Sequence, residues 1–96
     1  MEDRVFNEYF NKMKEIYINK RPKSEQFHRE ARNFLPGGDT RSVTFFQPFP
    51  TFVERGEGCR LYDVDGNIYI DFGNNQTSLI HGHAHPKVVE AVIGQV

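Results

Sequence analysis

Gly56–Pro86 carries the most regular pattern in the chain and reads GEGCRLYDVDGNIYIDFGNNQTSLIHGHAHP. Apolar and polar side chains alternate through Ile68–Phe72, which is the period of two expected of a strand with one buried face. A second short strand, Cys59–Asp63, lies on the other side of Val64–Asn67. That segment supplies a tight turn, because Gly66 can take a positive φ without a Cβ clash. The stretch therefore predicts a β-hairpin.

The hairpin has predicted neighbours on both sides. Thr51–Arg55 should add a first strand, with a turn at Gly56–Gly58, so that the three strands form a small antiparallel meander. After Phe72 the residues are small and polar, which is typical of a loop. Pro86 suits the first turn of a helix. That helix keeps an apolar face to the last residue and has no terminator, so we expect the chain to be part of a longer protein.

A long amphipathic helix is predicted ahead of the meander, from Asp3 to Asn19. Its apolar residues recur at spacings of three and four and form one stripe. We call this the aromatic stripe, and it consists of Phe6, Tyr9, Phe10, Met13, Ile16 and Tyr17. Two partners remain open for it, the chain's own domain or a second subunit.

A second helix is predicted to begin at Ser24, whose hydroxyl can cap a helix N-terminus. Its inner face is expected to hold Phe27, Ala31 and Phe34 or Leu35, and its outer face His28, Arg29 and Glu30. Leu35–Gly38 should end the helix, because the proline forbids continuation and the glycines permit a change of direction. Residues 39–50 are expected to be irregular.

The composition limits the class of protein. A chain of 96 residues is long enough for one small domain. Its net charge of −1 gives no electrostatic reason to expect binding to nucleic acid or to an anionic membrane. The single cysteine, Cys59, excludes an internal disulfide and should be buried or half-buried in its strand. Without a long apolar run or a signal-like start, the chain is expected to be soluble and cytoplasmic.

Three alternating histidines, His81, His83 and His85, precede Pro86. Such an arrangement can ligate zinc or iron when the rings lie on one side of a strand and a third ligand completes the site. The glycine and proline around them favour a turn into a helix instead. In that interpretation His85 caps the helix and His83 hydrogen-bonds the backbone of a tight bend. We therefore expect no metal site.

The acidic residues of the hairpin are better explained by turn formation than by catalysis. Asp63, Asp65 and Asp71 surround the predicted hairpin, and the spacing of an EF-hand loop is not met. The usual nucleotide-binding, nucleophile-elbow and Cys-x-x-Cys motifs are absent from the sequence. These motifs therefore supply no candidate catalytic residue.

Arg41 lies in an irregular, phenylalanine-rich segment, and two interpretations of it are open. The plain one is a surface charge whose aliphatic part lies along apolar neighbours. The other is a guanidinium presented by a loop to bind a planar anion, because its fixed fork matches a carboxylate or a phosphate.

Four segments together carry a resemblance to a known family. They are FVERGEGCRLYDVDGNIYIDF, GHAHPKVVEAV, ARNFLPGGDTRSV and FFQPFP. The first two resemble the amino-terminal region of class III aminotransferases, which are fold type I enzymes that use pyridoxal 5'-phosphate (PLP). The third narrows the resemblance to the branch of glutamate-1-semialdehyde 2,1-aminomutase and the aromatic β-amino-acid aminotransferases, and the fourth favours the latter. The resemblance runs from Ser24 to Val96.

The resemblance implies an α/β fold, the amino-terminal part of a fold type I PLP transferase: helices, a small antiparallel β-meander, and a helix leading into a large domain. We expect three segments on this basis. Residues 1–22 form the amphipathic helix, residues 23–73 the small-domain segment, and residues 74–96 an active-site loop and the first helix towards the cofactor domain.

The resemblance also implies site residues and partners. Arg41 matches the position that binds the substrate carboxylate, whereas Val43, Asn75 and Gln76 match positions that line the substrate pocket. Gln76 departs from the large aromatic side chain of both kinds of relative, and Asn75 from the serine common in the aminomutases. The choice of substrate therefore stays open. A homodimer with active sites at the subunit interface is also implied.

The expected function is that of an amino-terminal portion of a PLP-dependent aminotransferase or aminomutase. Its substrate would be an amino acid of the aromatic β-amino-acid or glutamate-1-semialdehyde type. The Schiff-base lysine and the coenzyme-binding groups of the family fall beyond Val96, so the 96-residue chain alone should be inactive and should bind PLP poorly. The alternatives are a non-enzymatic truncated module that self-associates and a small metal-binding domain built on the histidines.

Overall fold

The computed structural model describes residues 2–96 of the chain. These fall into two compact units, residues 2–52 and residues 53–96. The first unit contains helices α1 (Glu2–Asn19) and α2 (Pro22–Ala31), followed by short 3₁₀ turns at Pro36–Gly38 and Ser42–Thr44. The second unit contains strands β1 (Val53–Glu57), β2 (Arg60–Asp63) and β3 (Ile68–Ile70), and helix α3 (Pro86–Gln95). Helices with a small antiparallel sheet give the α/β class that the sequence predicted.

The core of the first unit lies at the carboxyl end of α1. Phe49 is its buried apolar residue, and the ring of Tyr17 lies 5.2 Å from the Phe49 ring, measured between centroids. The Tyr17 hydroxyl donates a hydrogen bond of 2.7 Å to the carbonyl oxygen of Phe49. The guanidinium of Arg21 also lies over the Tyr17 ring, 4.0 Å from the ring centroid. One end of the aromatic stripe is therefore fixed within its own unit.

The rest of the aromatic stripe is exposed. Phe6 and Phe10 stack on each other with centroids 6.2 Å apart, yet both remain more than half exposed. Tyr9, Met13 and Ile16 are exposed as well. Of the two partners considered for the stripe, the chain's own unit covers only the Tyr17 end.

Helix α2 begins at Pro22, so the prediction of Ser24 as its N-cap is wrong. Proline suits the first helical position because the N–H that it lacks would have no partner in the helix there. Ser24 is instead fully buried inside α2, and its Oγ accepts a hydrogen bond of 3.0 Å from the backbone N–H of Phe52. The hydroxyl joins α2 to the end of the unit rather than capping the helix.

The end of α2 also differs from the prediction, since the helix stops at Ala31. Phe34 lies in the following turn and is 85% exposed, so it is not part of an inner face. His28, expected on the outer face, is half-buried with its ring centroid 6.5 Å from that of Phe49. The helix therefore presents a different face to the core, because Phe49 returns to it from 21 residues farther along the chain.

The second unit is built on the predicted three-stranded antiparallel meander, in the order β1-β2-β3. Strand β1 starts and ends two residues later than predicted, because Gly56 pairs with Leu61 and Glu57 with Arg60. The link between β1 and β2 shrinks to two residues. One of them is Cys59, which is exposed, so the prediction of a buried or half-buried thiol is wrong.

The predicted hairpin turn is confirmed, but β3 ends at Ile70, and the prediction of a buried apolar face is wrong because Ile68, Ile70 and Phe72 are exposed. Asp63 organises the turn. Its side chain is only 1% exposed. Oδ1 accepts hydrogen bonds from the backbone N–H groups of Asp65 and Asn67, at 2.9 and 2.8 Å. Oδ2 accepts from Asn67 Nδ2 at 2.8 Å and from the Tyr69 hydroxyl at 2.7 Å. A buried carboxylate with four donors confirms the interpretation of Asp63 as a turn-forming residue.

Helix α3 begins at Pro86 as predicted. Its apolar side chains Val88, Val92 and Ile93 are exposed. Among the described residues, no helix combines the length and the apolar character that crossing a bilayer requires.

Candidate functional site

The segment 36–45 of the first unit forms a cavity of about 400 Å³ around Arg41. Its lining consists of Pro36, Gly37, Asp39, Thr40, Arg41, Ser42 and Phe45. Arg41 has extended backbone angles and directly precedes the 3₁₀ turn Ser42–Thr44. Val43 lies in that turn and is exposed, but it is not among the residues that line the cavity.

Contacts within the segment hold the loop that carries Arg41. The Thr44 hydroxyl lies within hydrogen-bonding reach of Asp39 Oδ1 and, at 3.0 Å, of the carbonyl oxygen of Arg41. The ring of Phe45 packs on Gly37, where a Cβ would lie 2.9 Å from the nearest ring carbon. Gly37 also has a φ of +66°, a conformation that favours glycine. Both ends of the loop are thus fixed before any ligand binds.

The guanidinium of Arg41 is available for a ligand. Within residues 2–96 it makes no hydrogen bond or salt bridge to another side chain or to the backbone. A guanidinium presents N–H donors in a planar fork that matches the two oxygens of a carboxylate. Because Arg41 is also exposed, both interpretations of it stay open, and its role in binding an anion stays a prediction.

Asn75 and Gln76 lie in the second unit, in a turn that runs through Asn74–Thr77. All four residues of this turn have positive φ, between 46° and 67°, although none is glycine. The Ser78 hydroxyl donates a hydrogen bond of 2.8 Å to the carbonyl oxygen of Asn75. The sequence indicated a loop here, but it gave no sign of a left-handed turn.

Asp71 precedes this turn, and its contacts confirm the interpretation of Asp71 as a turn-forming residue. Oδ1 accepts hydrogen bonds from the backbone N–H groups of Gly73 and Asn74, at 2.8 and 3.0 Å. Oδ2 lies 2.5 Å from Nε2 of His83. The hydrogen bond from His83 first, and those from Asn74 and Gly73, hold the pKa of the Asp71 carboxyl below its ordinary value. Asp71 is therefore ionised at neutral pH.

The rings of His81 and His85 lie 5.3 Å apart, measured between centroids, whereas the ring of His83 binds another residue. The ring of His83 binds Asp71 rather than the backbone of a bend, so that prediction is wrong for the side chain; the N–H and carbonyl of His83 pair with Gly58. His85 occupies the position before α3, yet its side chain makes no capping hydrogen bond and its buried Nδ1 has no partner among the described residues. Capping by the His85 side chain was therefore a wrong prediction. In residues 2–96 no group of three or more His, Cys, Asp or Glu side chains is arranged to hold a metal ion.

The four predicted site residues fall into the two units. Arg41 and Val43 lie in the first unit, and Asn75 and Gln76 in the second. Their assignment to a substrate pocket stays a prediction. The sequence analysis did not predict the pair of Asp71 and His83. An Asp two residues before Gly73 is typical of a side chain that binds the following backbone, but this pattern does not point to His83.

Comparison with known proteins identifies the family. The family model "Aminotransferase class-III" matches residues 44–96. The chain belongs to the class III aminotransferase family. The chain is 46% identical over 80 residues to the glutamate-1-semialdehyde 2,1-aminomutase of Methanopyrus kandleri, covering 83% of this chain and 19% of that relative.

Solved structures of class III enzymes have the same fold. The β-phenylalanine aminotransferase of Variovorax paradoxus superposes with a TM-score of 0.87 at 33% identity, over 92% of this chain and 20% of that one. A solved transaminase with PLP bound gives 0.73 at 46% identity, over 76% of this chain and 17% of that one. The class III chain described here spans about a fifth of the length of the curated relatives it matches, and it corresponds to their amino-terminal region.

Proposed function

We propose that the protein carrying this chain is a PLP-dependent aminotransferase or aminomutase that acts on an amino acid. The chain would supply the part of the active site that binds the substrate carboxylate. The observation that carries this proposal is the Arg41 guanidinium, which lines a preformed cavity and has no partner within residues 2–96. Two parallel N–H···O bonds from a guanidinium fix both the position and the orientation of a carboxylate.

Val43, Asn75 and Gln76 are proposed to line the pocket for the rest of the substrate. Asn75 and Gln76 carry amide groups and are both exposed on their turn, so they are able to donate hydrogen bonds to a polar substrate group and to accept them. Two substrate classes follow from the relatives: an aromatic β-amino acid, as in the β-phenylalanine aminotransferase, and glutamate-1-semialdehyde, as in the aminomutase.

The described residues around Arg41 suit an anionic group but do not include the lysine that a Schiff base with PLP requires. Among the residues that the structure describes, no lysine lines this cavity, and Lys87 is exposed in the first turn of α3 in the other unit. We therefore propose that PLP is held by residues beyond Val96. When bound, PLP supplies an electron sink for the reacting carbon of the amino acid. The similarity to a transaminase with PLP bound supports its use by the complete protein.

A homodimer with its active sites at the subunit interface is part of the proposal, as is a cytoplasmic location. The exposed aromatic stripe of α1 supports the dimer, because contiguous exposed apolar surface marks interaction sites.

We expect Phe10→Glu to shift the complete protein from dimer to monomer in light scattering after size exclusion. Asn11→Glu, on the opposite face of α1, should leave the dimer intact. A dimer unaffected by Phe10→Glu would place the contact elsewhere.

The second candidate function is a non-enzymatic module that self-associates through the same stripe. An amino-donor screen separates the two. The complete protein is loaded with PLP. It should either transfer the amino group of an aromatic β-amino acid to a keto-acid acceptor or isomerise glutamate-1-semialdehyde. The 96-residue chain alone should do neither. A complete protein that is inactive with every amino acid tested would contradict the enzyme and favour the module.

A further inference from the structure

Asp71 and His83 form a pair that joins the two ends of segment 71–83, which contains the turn 74–77 with Asn75 and Gln76. Oδ2 of Asp71 lies 2.5 Å from Nε2 of His83, and the two side chains are 13% and 19% exposed. An ionised carboxylate only accepts hydrogen bonds, so Nε2 of His83 carries the proton and donates it. The bond is thus charge-assisted and partly shielded from water.

Asp71 holds the beginning of the turn to the sheet. Its own backbone N–H donates a hydrogen bond of 2.8 Å to the carbonyl oxygen of Cys59, just before β2. Its Oδ1 accepts from the N–H groups of Gly73 and Asn74. One carboxylate therefore fixes the first residues of the turn with one oxygen and binds His83 with the other.

His83 holds the far end, and it is itself fixed by β1. Its backbone N–H and carbonyl pair with Gly58 at 2.8 and 2.9 Å. Its ring lies over Gly56, where a Cβ would come within 2.7 Å of the ring Cγ. The backbone next to His83 is also close to β1: Gly82 has a φ of +79°, and a Cβ there would be 2.8 Å from the carbonyl oxygen of Gly58. The ring has little room to move away from Asp71.

The turn between these ends needs such restraint. Left-handed conformations are unfavourable for residues with a Cβ, and four successive ones persist only where the surroundings determine them. Two backbone hydrogen bonds act inside the segment, from Thr77 to Gly73 and from Leu79 to Asn74, each of 3.1 Å. The Asp71–His83 bond closes the segment from outside.

We propose that Asp71 and His83 are positioning residues that fix the turn 74–77 and thereby set which amino-acid side chain the enzyme accepts. The proposal rests on the proposed function, in which Asn75 and Gln76 line the substrate pocket. Neither Asp71 nor His83 needs to touch the substrate. Asp71 and His83 affect the substrate indirectly, by fixing the position of the Asn75 and Gln76 side chains.

The test compares variants of the complete enzyme at His83. His83→Phe keeps a ring over Gly56 but removes the donor to Asp71, whereas His83→Gln keeps a donor near the position of Nε2. We expect His83→Phe to change the ratio of kcat/KM between an aromatic and an aliphatic amino acid by about tenfold, mainly through KM. His83→Gln should restore most of the ratio. His81→Phe, at an exposed neighbouring histidine, is the matched control and should leave the ratio unchanged.

Hydrogen exchange provides a readout that does not depend on activity. The amides of residues 73–78 should exchange faster in His83→Phe than in the wild type, with no change in α1. If His83→Phe fails to fold, Asp71→Asn serves instead, because it keeps acceptors for Gly73 and Asn74 but removes the charge that binds His83. Unchanged substrate ratios or unchanged exchange in the folded variant would overturn the proposal. A wild-type enzyme that transaminates no amino acid would instead overturn the proposed function, and the role in substrate choice with it.

Discussion

Arg41→Ala should raise KM for the amino-acid substrate of the complete enzyme by about 30- to 700-fold, which corresponds to the ~2–4 kcal/mol of a lost charge-assisted, bidentate contact. The guanidinium lines a preformed cavity and has no other partner within residues 2–96. Its removal therefore costs binding to the carboxylate without breaking a contact of the fold. Steady-state kinetics over a range of amino-acid concentrations measures the effect, and kcat/KM should fall by a similar factor.

Two further variants complete the test: one separates the effect of the planar pair of donors from that of the positive charge, and the other is a control. Arg41→Lys keeps a positive charge but loses the planar pair of donors, so we expect a rise in KM between those of the wild type and of the alanine variant. Arg29→Ala removes an exposed arginine of α2 whose ion pair with Glu25 is also exposed, and it should leave KM unchanged. An unaltered KM in Arg41→Ala for every amino acid accepted would disprove the carboxylate assignment.

Asp63→Ala should lower the free energy of unfolding by about 3 kcal/mol, because the buried donors at Asp65, Asn67 and Tyr69 lose their acceptor together. Urea denaturation followed by circular dichroism measures the change. Glu57→Ala breaks an exposed ion pair with Arg55 and, as a control, should cost less than about 1 kcal/mol. Equal stability of the two variants would show that Asp63 does not organise the hairpin.

The contribution of Asp63 should also depend on pH. Burial raises the pKa of Asp63, but the hydrogen bonds from Tyr69, Asn67 and Asp65 outweigh burial and lower the pKa below its ordinary value. A carboxyl whose pKa is lower in the folded than in the unfolded state stabilises the fold above its unfolded pKa of about 4, and this stabilisation is lost as the pH falls through the folded pKa. The stability difference between wild type and Asp63→Asn should therefore shrink below about pH 4. A difference that stays constant down to acid unfolding would contradict this.

The elements that the sequence predicted well are those fixed by short-range patterns. Helix α1 follows from its apolar spacing, the hairpin from Asp65-Gly66 between alternating residues, and the start of α3 from Pro86. Arg41 was singled out on local grounds too, as a charged fork among phenylalanines, and its role in binding an anion stays a prediction. Each of these inferences uses residues within a few positions of one another.

The predictions that failed depend on residues far apart in the chain. The hydroxyl of Ser24 was assigned to a helix cap, but its Oγ accepts a hydrogen bond from the backbone N–H of Phe52, 28 residues farther along the chain. Strand β1 was placed two residues early, because its bounds depend on pairing with β2 rather than on its own composition. Asp71 and His83 are twelve residues apart, and nothing local marks them as partners.

The sequence by itself determined the family, the order of helices and strands, and the turn chemistry of the hairpin, because backbone preferences and hydrophobic periodicity act locally. Only the tertiary structure decided which buried polar groups meet, which stripe stays exposed, and how the turn with Asn75 and Gln76 is held. Those outcomes depend on the need of every buried donor and acceptor for a partner, and the partner is chosen by proximity in space rather than along the chain.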